Sequence, residues 1–488
     1  MSKTTPVGAS GLRAAVQWGR QWIAVPTSTT AARLTLVALA LALQNLLELP
    51  REILSNVLGT AITGLLVFVA LVVSLAFLLA AVGISPPRWR WPYRRSVQIF
   101  AICITLLVVP VGVAQTVKIA VAGFSAPEYA NDGTTLDHYA AQQVIEGHNP
   151  YVTTNIVSAI QYLKQDPTHT TPLRQGVFAN RSPIDYPTRS ELRAVFQQRA
   201  HQPAQAVEFE SHVSYPALAF LPLVPFVWAG LPSVVLFFAL CLLALAILMI
   251  RSAPAESRFW LVLLLLADTP LLNAALVGDL DVLYILLLFI AWRWWRRPML
   301  STIAFGLALA AKQLAWFFGP FYLLFVWQRY GIRQAAYRMV GGVAIFAVIN
   351  APFIINNPTA WARGVLAPQI DPMFPLGNGL IRLSLSGIVP LAPSAVYLAL
   401  EVLAMVACIL LYWRQRRRAI GTGFALSAIP LWFAWRSLTT YFYFVTLPAL
   451  ALALWDGKGE ASHEEEALPA VQRFDTRAGV SPGAIQHE

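Results

Sequence analysis

Charged residues are scarce in this chain of 488 residues: they make up 12% of it, against 57% for hydrophobic residues. Runs such as Leu34–Leu47, Val57–Val82 and Phe259–Leu266 are too apolar for the surface of a soluble domain. A membrane-spanning helix needs roughly 20 apolar residues to cross about 30 Å of hydrocarbon, and several segments meet that length. The low charge therefore excludes a soluble globular protein and predicts a polytopic membrane protein.

Cysteine is almost absent as well. The three cysteines, Cys103, Cys241 and Cys408, lie apart in apolar segments, so neither a disulfide framework nor a metal knuckle is predicted. Five of the seven histidines fall between residues 123 and 214, but they lack the spacing of metal ligands. A glycine-rich phosphate loop is missing too. These absences argue against a zinc protein and against a nucleotide pocket.

The net charge of +11 comes with arginines that cluster in short connections without any interrupting acidic residue. These groups are Arg88, Arg90, Arg94 and Arg95; Arg293, Arg296 and Arg297; Arg329, Arg333 and Arg338; and Arg414, Arg416, Arg417 and Arg418. Such asymmetry marks the cytoplasmic face of a membrane protein, so the positive charge does not call for a nucleic acid partner. No small-residue cleavage site follows the N-terminal arginines, which predicts a retained anchor.

With these arginines inside, the chain threads as an all-α bundle of about 12 transmembrane helices. The predicted helices are 34–50, 57–83, 97–122, the second half of 215–250, 259–276, 280–293, 299–311, 313–327, 338–355, 395–413, 419–435 and 438–455. We therefore expect four parts: a cytoplasmic segment 1–33, two helices within 34–96, a main membrane domain 97–455, and a disordered cytoplasmic tail 456–488. The main domain carries two external loops, 123–214 after the third helix and 356–394.

The long polar loop 123–214 is the predicted roof of an active site. An acceptor hydroxyl is a poor nucleophile at neutral pH and needs a carboxylate within hydrogen-bond reach to take its proton. Asp137 is the candidate base, and Asp132 is the residue that would support or replace it. The alternative is that both are solvated loop carboxylates. His138 is interpreted as a neighbour that orients this region.

Lys312 is an isolated charge in an apolar segment, where a charged side chain usually faces a cavity or a partner. It would serve either as a cation for a phosphate leaving group or as the partner of Asp268, Asp279 or Asp281 in a structural ion pair. Asp279 and Asp281 open a helix, where carboxylates are favoured electrostatically. The alternative is that one of them binds sugar hydroxyls or a divalent ion.

Aromatic residues are frequent near the predicted outer surface, and Tyr139 lies two residues after the candidate base. An interfacial aromatic belt explains most such residues. A role for Tyr139 in stacking against a sugar stays open beside that explanation.

In its motifs the chain resembles the GT-C superfamily of membrane glycosyltransferases, and most of all glycosyltransferase family 87, the polyprenyl-phosphate-mannose-dependent α-mannosyltransferases. The motifs that carry the resemblance are Asp137-His138-Tyr139, Gly147-His148-Asn149-Pro150-Tyr151, Tyr215-Pro216 with Pro222 and Pro225, Gly278-Asp279, Lys312, and Gly377-Asn378-Gly379-Leu380 ahead of Arg382. The resemblance covers roughly residues 100–450. Three features depart from the family: two helices precede the usual first one, Ile160–His212 has no counterpart, and Asp279 stands where glutamine is common.

The resemblance implies a GT-C-like catalytic membrane domain that transfers a mannose-like hexose or a pentose with inversion. The donor would be a polyprenyl-phosphate sugar, and the acceptor a hydroxyl of a glycan, a glycolipid or a protein outside the cell membrane. Asp137 would be the base. Lys312, Arg382 or Arg436 would face the leaving phosphate, and Asn378 would lie in the same donor site. No cofactor is indicated, apart from the divalent ion left open above.

Three other functions remain open. A transporter or flippase of lipid-linked sugars would use Lys312, Asp279 and Asp281 near the middle of the membrane. A ligase would use a larger lipid-linked donor, and a scaffold would have no catalytic role. The large one-sided loop favours chemistry over transport, and no repeated half is visible in the sequence.

Overall fold

The computed structural model describes residues 26–47, 51–83, 89–415 and 419–467. Within these ranges the chain is mostly helical, with irregular connections and two short parallel strands, β1 (Leu376–Gly377) and β2 (Arg436–Ser437). Most of the predicted segment 1–33, and the part of the predicted tail beyond residue 467, lie outside the described residues. The last helix runs through Ala467, past the point at which the sequence predicted a disordered tail.

The helices up to the end of the polar loop are α1 (Ser28–Leu47), α2 (Arg51–Leu58), α3 (Thr60–Val82), α4 (Arg95–Ala122), α5 (Asp132–Ile145), α6 (Pro150–Thr153), α7 (Ile156–Leu163) and α8 (Arg189–Arg199). The helices after it are α9 (Val224–Trp228), α10 (Val235–Ser252), α11 (Ala255–Ala267), α12 (Thr269–Leu276), α13 (Asp281–Arg293), α14 (Pro298–Ala311), α15 (Leu314–Tyr330), α16 (Ile332–Asn356), α17 (Pro358–Ile370), α18 (Ile381–Leu385), α19 (Ser394–Arg414), α20 (Ile420–Leu426) and α21 (Thr440–Ala467).

Six of the described helices are long and apolar enough to cross a membrane: α1, α3, α4, α10, α16 and α19. The pair α11 and α12 forms a seventh candidate span, bent by 59° where Asp268 separates the two helices. The predicted count of about 12 spans is not confirmed, because several predicted spans fold as short helices. α13 has 13 residues, which at 1.5 Å per residue gives about 20 Å. The fold is that of a mostly helical, multi-pass membrane protein.

The two N-terminal helices α1 and α3 are packed into the bundle. Gln44 in α1 donates hydrogen bonds to Thr446 Oγ1 in α21 at 2.9 Å and to Ser74 Oγ in α3 at 3.1 Å. At the other end of α3, Thr422 Oγ1 donates to the Val82 carbonyl oxygen at 2.5 Å. Buried polar groups of this kind need such partners. The helices that depart from the family pattern therefore form part of the membrane core.

The polar segment 123–214 folds into helices α5–α8 around an apolar core of its own. That core contains Leu136, Ile156, Val157, Ile160, Phe178, Leu192, Val195, Phe196, Ala206 and Phe209, together with Phe374 of the second loop. A partly buried ion pair supports it, with Arg199 Nη2 2.6 Å from Glu208 Oε1. An antiparallel bridge between Leu173 and Met373 ties the two loops together. The segment is thus a folded unit, which gives its carboxylates fixed positions.

α13 separates two ends of the molecule with different charge. Asp281 is its first residue and Arg293 its last. At the arginine end, Arg293 Nε donates to Ser252 Oγ at 2.9 Å, and its guanidinium lies 4.1 Å from the Trp455 ring centroid. Arg338 belongs to the same end, since its Nη2 donates to the Trp295 carbonyl oxygen at 2.5 Å. The predicted segregation of arginines from acidic residues is therefore visible along one helix.

Candidate active site

Helix α5 is fixed against the turn that precedes α13. The side chain of Asn131 caps α5 by accepting a hydrogen bond from the Thr134 backbone N–H at 2.7 Å. Thr134 Oγ1 donates to the Gly278 carbonyl oxygen at 2.7 Å. Gly278 has a φ of +76°, and a Cβ there would lie 2.7 Å from Thr134 Cγ2. Only glycine suits this close approach, which brings the Asp137 helix and the Asp279 turn together.

Lys312 lies in the predicted break between α14 and α15, and it forms an ion pair. Its Nζ is 2.6 Å from Asp281 Oδ1 and 3.7 Å from Asp279 Oδ1. The ammonium group also lies 5.0 Å from the centroid of the Tyr215 ring. Of the two roles considered for Lys312, the structure thus contains the ion pair. Two carboxylates already compensate its single positive charge.

Replacing Lys312 by methionine is expected to destabilise the protein. Removing one partner of a buried ion pair costs about 3–5 kcal/mol, because the remaining charge is left uncompensated. The thermal midpoint of the detergent-solubilised protein measures the loss. The double variant Lys312→Met/Asp281→Asn should recover part of the lost stability, since it also removes one of the two carboxylates left without a positive partner. An unchanged midpoint in the single variant would show that this ion pair does not support the fold.

Asp137 is buried and unpaired. It is 1% exposed, and neither carboxylate oxygen accepts a hydrogen bond from any residue in the described part of the chain. Burial raises the pKa of Asp137 to about 8; the positive charge of Lys312 opposes this rise, while the charges of Asp279 and Asp132 add to it. A carboxylate with this environment takes up protons far more readily than a hydrated one, as a general base requires.

His138 is fixed beside Asp137 by a buried tyrosine. Its Nδ1 lies 2.8 Å from the Tyr129 hydroxyl, which also accepts a hydrogen bond from the Val234 backbone N–H at 3.0 Å. Burial lowers the pKa of His138 to about 4, so the ring is neutral at physiological pH. These contacts support the orienting role predicted for His138 and leave it no charge to use in the reaction.

Arg436 is positioned by the second loop. It lies in β2, beside the Gly377-Asn378-Gly379 motif that contributes to β1. Asn378 N donates to the Ser437 carbonyl oxygen at 2.9 Å, and Asn378 Nδ2 donates to Thr439 Oγ1 at 3.1 Å. A Cβ on Gly377 would lie 2.0 Å from the Ser437 carbonyl oxygen, so the two backbones meet more closely than a side chain permits. The motif therefore serves to dock the Arg436 strand.

The guanidinium of Arg436 can make a further hydrogen bond. Its Nη1 is buried and bonds to no residue among those described. Arg436 acts electrostatically on Tyr186, Tyr441 and Glu210. Tyr441 is also within electrostatic range of Lys312, Asp279 and Asp281. Arg436 consequently borders the same polar region as the Lys312 ion pair.

Three further predicted site residues, Tyr139, Arg382 and Asp132, have contacts outside the Lys312 ion pair. Tyr139 packs against Tyr162 with ring centroids 5.5 Å apart. Arg382 faces α3, since a Cβ on Gly64 would lie 3.7 Å from Arg382 Nε. Asp132 Oδ2 accepts a hydrogen bond from the Thr171 backbone N–H at 2.7 Å. In the described part of the chain, no three His, Cys, Asp or Glu side chains are arranged to hold a metal ion.

Glu210 and Asp371 are two carboxylates that the sequence did not predict; in the structure they are neighbours, and Glu210 lies near Asp132 and Arg436. Glu210 lies in the part of the loop that had no counterpart in the family, so no motif drew attention to it. The alternation of Glu208, Phe209 and Glu210 would also have misled, because it places both glutamates on the face opposite Phe209, whereas the structure buries all three side chains.

Residues 213–419 match the family model of glycosyltransferase family 87. The resemblance seen in the motifs is therefore confirmed for this part of the chain, and it supports a membrane glycosyltransferase. The matched part contains Tyr215, Asp279, Asp281 and Lys312, whereas Asp137 precedes it and Arg436 follows it. No curated protein and no solved structure matches the chain.

Proposed function

We propose that the protein transfers a sugar from a polyprenyl-phosphate donor to an acceptor hydroxyl, with Asp137 as the general base. The observation that carries the proposal is the buried, unpaired carboxylate of Asp137, held by the Thr134–Gly278 contact against the family-matched segment. A structural carboxylate at such a site would be expected to have hydrogen-bond donors around it.

In this reaction Asp137 takes the proton of the acceptor hydroxyl as its oxygen attacks the anomeric carbon of the donor sugar. The bond between that carbon and the phosphate oxygen breaks, and the electron pair leaves with the lipid phosphate. One displacement at the anomeric carbon inverts its configuration. Because the leaving group is already a phosphate, the chain has no need to bind a nucleotide.

Arg436 is the residue that we assign to the donor phosphate. Its unpaired, buried Nη1 is free to donate a charge-assisted hydrogen bond to a phosphate oxygen. Lys312 is less suited, since Asp281 and Asp279 already surround its ammonium group. We assign Lys312 instead to holding these two carboxylates beside Asp137.

The proposed site faces the outside of the plasma membrane. Arginine-rich connections mark the cytoplasmic side, and Asp281 lies at the opposite end of α13 from Arg293. A polyprenyl donor would keep its tail in the lipid while its phosphate and sugar reach this outer end. Glycans, glycolipids and proteins with free hydroxyls are the acceptors available there.

The test is to incubate the purified protein in detergent with a panel of polyprenyl-phosphate sugars and simple alkyl glycosides, and to detect products by mass. We expect a glycosylated product from at least one donor. Since detergent solution has no gradient, turnover there is enzymatic and excludes a pure transporter or flippase. Substrate movement in vesicles without any transfer in detergent would favour that alternative.

Transfer is expected to increase with pH up to about 8. Asp137 acts as a base only when ionised, and its pKa is raised to about 8, so the rate should fall about tenfold per pH unit below that value. Asp132→Asn should shift this fall in rate to lower pH, because the charge of Asp132 contributes to the raised pKa of Asp137. The pH profile of kcat/KM measures both effects, and a profile without an acidic limb would contradict the assignment.

A further inference from the structure

A second buried carboxylate lies outside the machinery described so far. Glu210 is 3% exposed, and no N–H group or hydroxyl of a described residue donates to its buried carboxylate oxygens, whose side-chain neighbour is the carboxyl group of Asp371. Burying an ionisable group without partners is unfavourable, and an unsatisfied group of this kind in a folded protein calls for an explanation. One such explanation is a bound ligand that supplies the missing hydrogen bonds.

The backbone around Glu210 is held firmly, so its position is a property of the fold. Glu210 N donates to the Thr171 carbonyl oxygen at 2.9 Å, and Thr171 N donates to Asp132 Oδ2 at 2.7 Å. The neighbouring Arg174 N donates to the Pro372 carbonyl oxygen at 2.8 Å. Glu210 therefore lies where the first and the second loop meet.

Asp371 of the second loop is a charged neighbour of Glu210. Burial, together with the proximity of Asp371, raises the pKa of Glu210 well above its usual range. Glu210 consequently retains a proton under conditions where a hydrated glutamate would have lost it. A pair in this form offers one O–H donor and several acceptor oxygens. Such a set matches sugar hydroxyls, each of which both donates and accepts.

This carboxylate pair borders the proposed active site. The charge of Asp132 acts on both Asp137 and Glu210, and Arg436 acts on both Glu210 and Tyr441. Hydrogen bonds join Glu210 to Asp132 through the backbone of Thr171, and Asp132 lies on the same helix as Asp137, so a sugar bound at Asp137 would lie in the same region as Glu210.

We propose that Glu210 and Asp371 form a subsite that binds the hydroxyl groups of a sugar. The proposal rests on the glycosyltransferase function proposed above and adds a specificity determinant in which Glu210 lies just before the family-matched segment and Asp371 lies within it. Donor and acceptor sugars present the same chemistry to this pair, so the experiment must separate the two.

The test compares Glu210→Gln and Asp371→Asn with the wild-type protein in KM for each substrate. The substrates are the polyprenyl-phosphate sugar and the alkyl glycoside that give product in the panel. Losing a hydrogen bond to a charged group should raise one KM by about 10- to 100-fold, with kcat and the thermal midpoint nearly unchanged. A rise for the alkyl glycoside assigns the subsite to the acceptor, and a rise for the lipid donor assigns it to the donor.

Asp185→Asn is the matched control, since Asp185 is an exposed carboxylate of the same loop, and it should leave both KM values unchanged. If both KM values of Glu210→Gln stay within about twofold of wild type, the subsite proposal fails. Saturation-transfer NMR with methyl mannoside gives a readout that needs no turnover, and an equal signal from wild type and Glu210→Gln would also overturn it. The proposed function fails separately, if the wild-type protein forms no product with any donor of the panel.

Discussion

Asp137→Asn is expected to reduce sugar transfer by about 10²- to 10⁴-fold, the usual contribution of a general base. The amide cannot accept the proton of the acceptor hydroxyl, although it has nearly the same size as the carboxylate. The variant should fold normally and melt at the same temperature or higher, because Asp137 is a buried carboxylate without hydrogen-bond donors in the described structure. Initial rates in detergent, with the donor and acceptor that give product, measure the ratio of the wild-type transfer rate to that of Asp137→Asn.

Asp132→Asn is the matched control for this prediction. Asp132 lies on the same helix, and its Oδ2 accepts a hydrogen bond from the Thr171 backbone N–H. Its replacement should alter the pH profile and reduce the rate by less than about tenfold. If instead Asp132→Asn is inactive and Asp137→Asn keeps a near-normal rate, Asp132 is the base.

Arg436→Gln is expected to lower kcat by about 10²- to 10³-fold, the effect of removing one preorganised donor from a developing negative charge. The guanidinium would face the phosphate as it leaves, so the loss should appear in kcat more than in the KM of the acceptor. Steady-state kinetics with the polyprenyl-phosphate donor and the alkyl glycoside separate these parameters.

Arg193→Gln provides the comparison, because Arg193 is an exposed loop arginine whose partner is Asp166. Exposed ion pairs contribute little to stability, and this variant should transfer sugar at the wild-type rate. Equal rates for Arg436→Gln and Arg193→Gln would remove Arg436 from the donor site. Lys312 would then be the next cation to test, in spite of its two carboxylate partners.

The sequence predicted the helices closely wherever hydrophobic length and polar breaks decide the outcome. The predicted pair 299–311 and 313–327 corresponds to α14 and α15, with Lys312 in the break. The number of membrane spans could not be predicted in the same way. Short segments such as 280–293 have the apolar composition of a membrane span. The packing of neighbouring helices, however, decides whether a helix of about 20 Å crosses a bilayer.

The candidate site was predictable only where a charge stands out against an apolar background. Lys312, Asp279 and Asp281 were visible for that reason, and the structure joins them as one of the anticipated ion pairs. Glu210 was not visible, because a carboxylate in a polar loop looks like any solvated residue until the fold buries it. The role of Asn378 was hidden as well, since its contacts with Ser437 and Thr439 depend on pairing across distant parts of the chain.

The anomeric configuration of the product, determined by NMR with a donor of defined configuration, tests most directly whether Asp137 acts as a base in a single displacement. Our account predicts a product of the opposite configuration, formed by the wild-type protein and lost in Asp137→Asn. A product that retains the configuration of the donor would contradict it, because retention requires a second displacement at the same carbon.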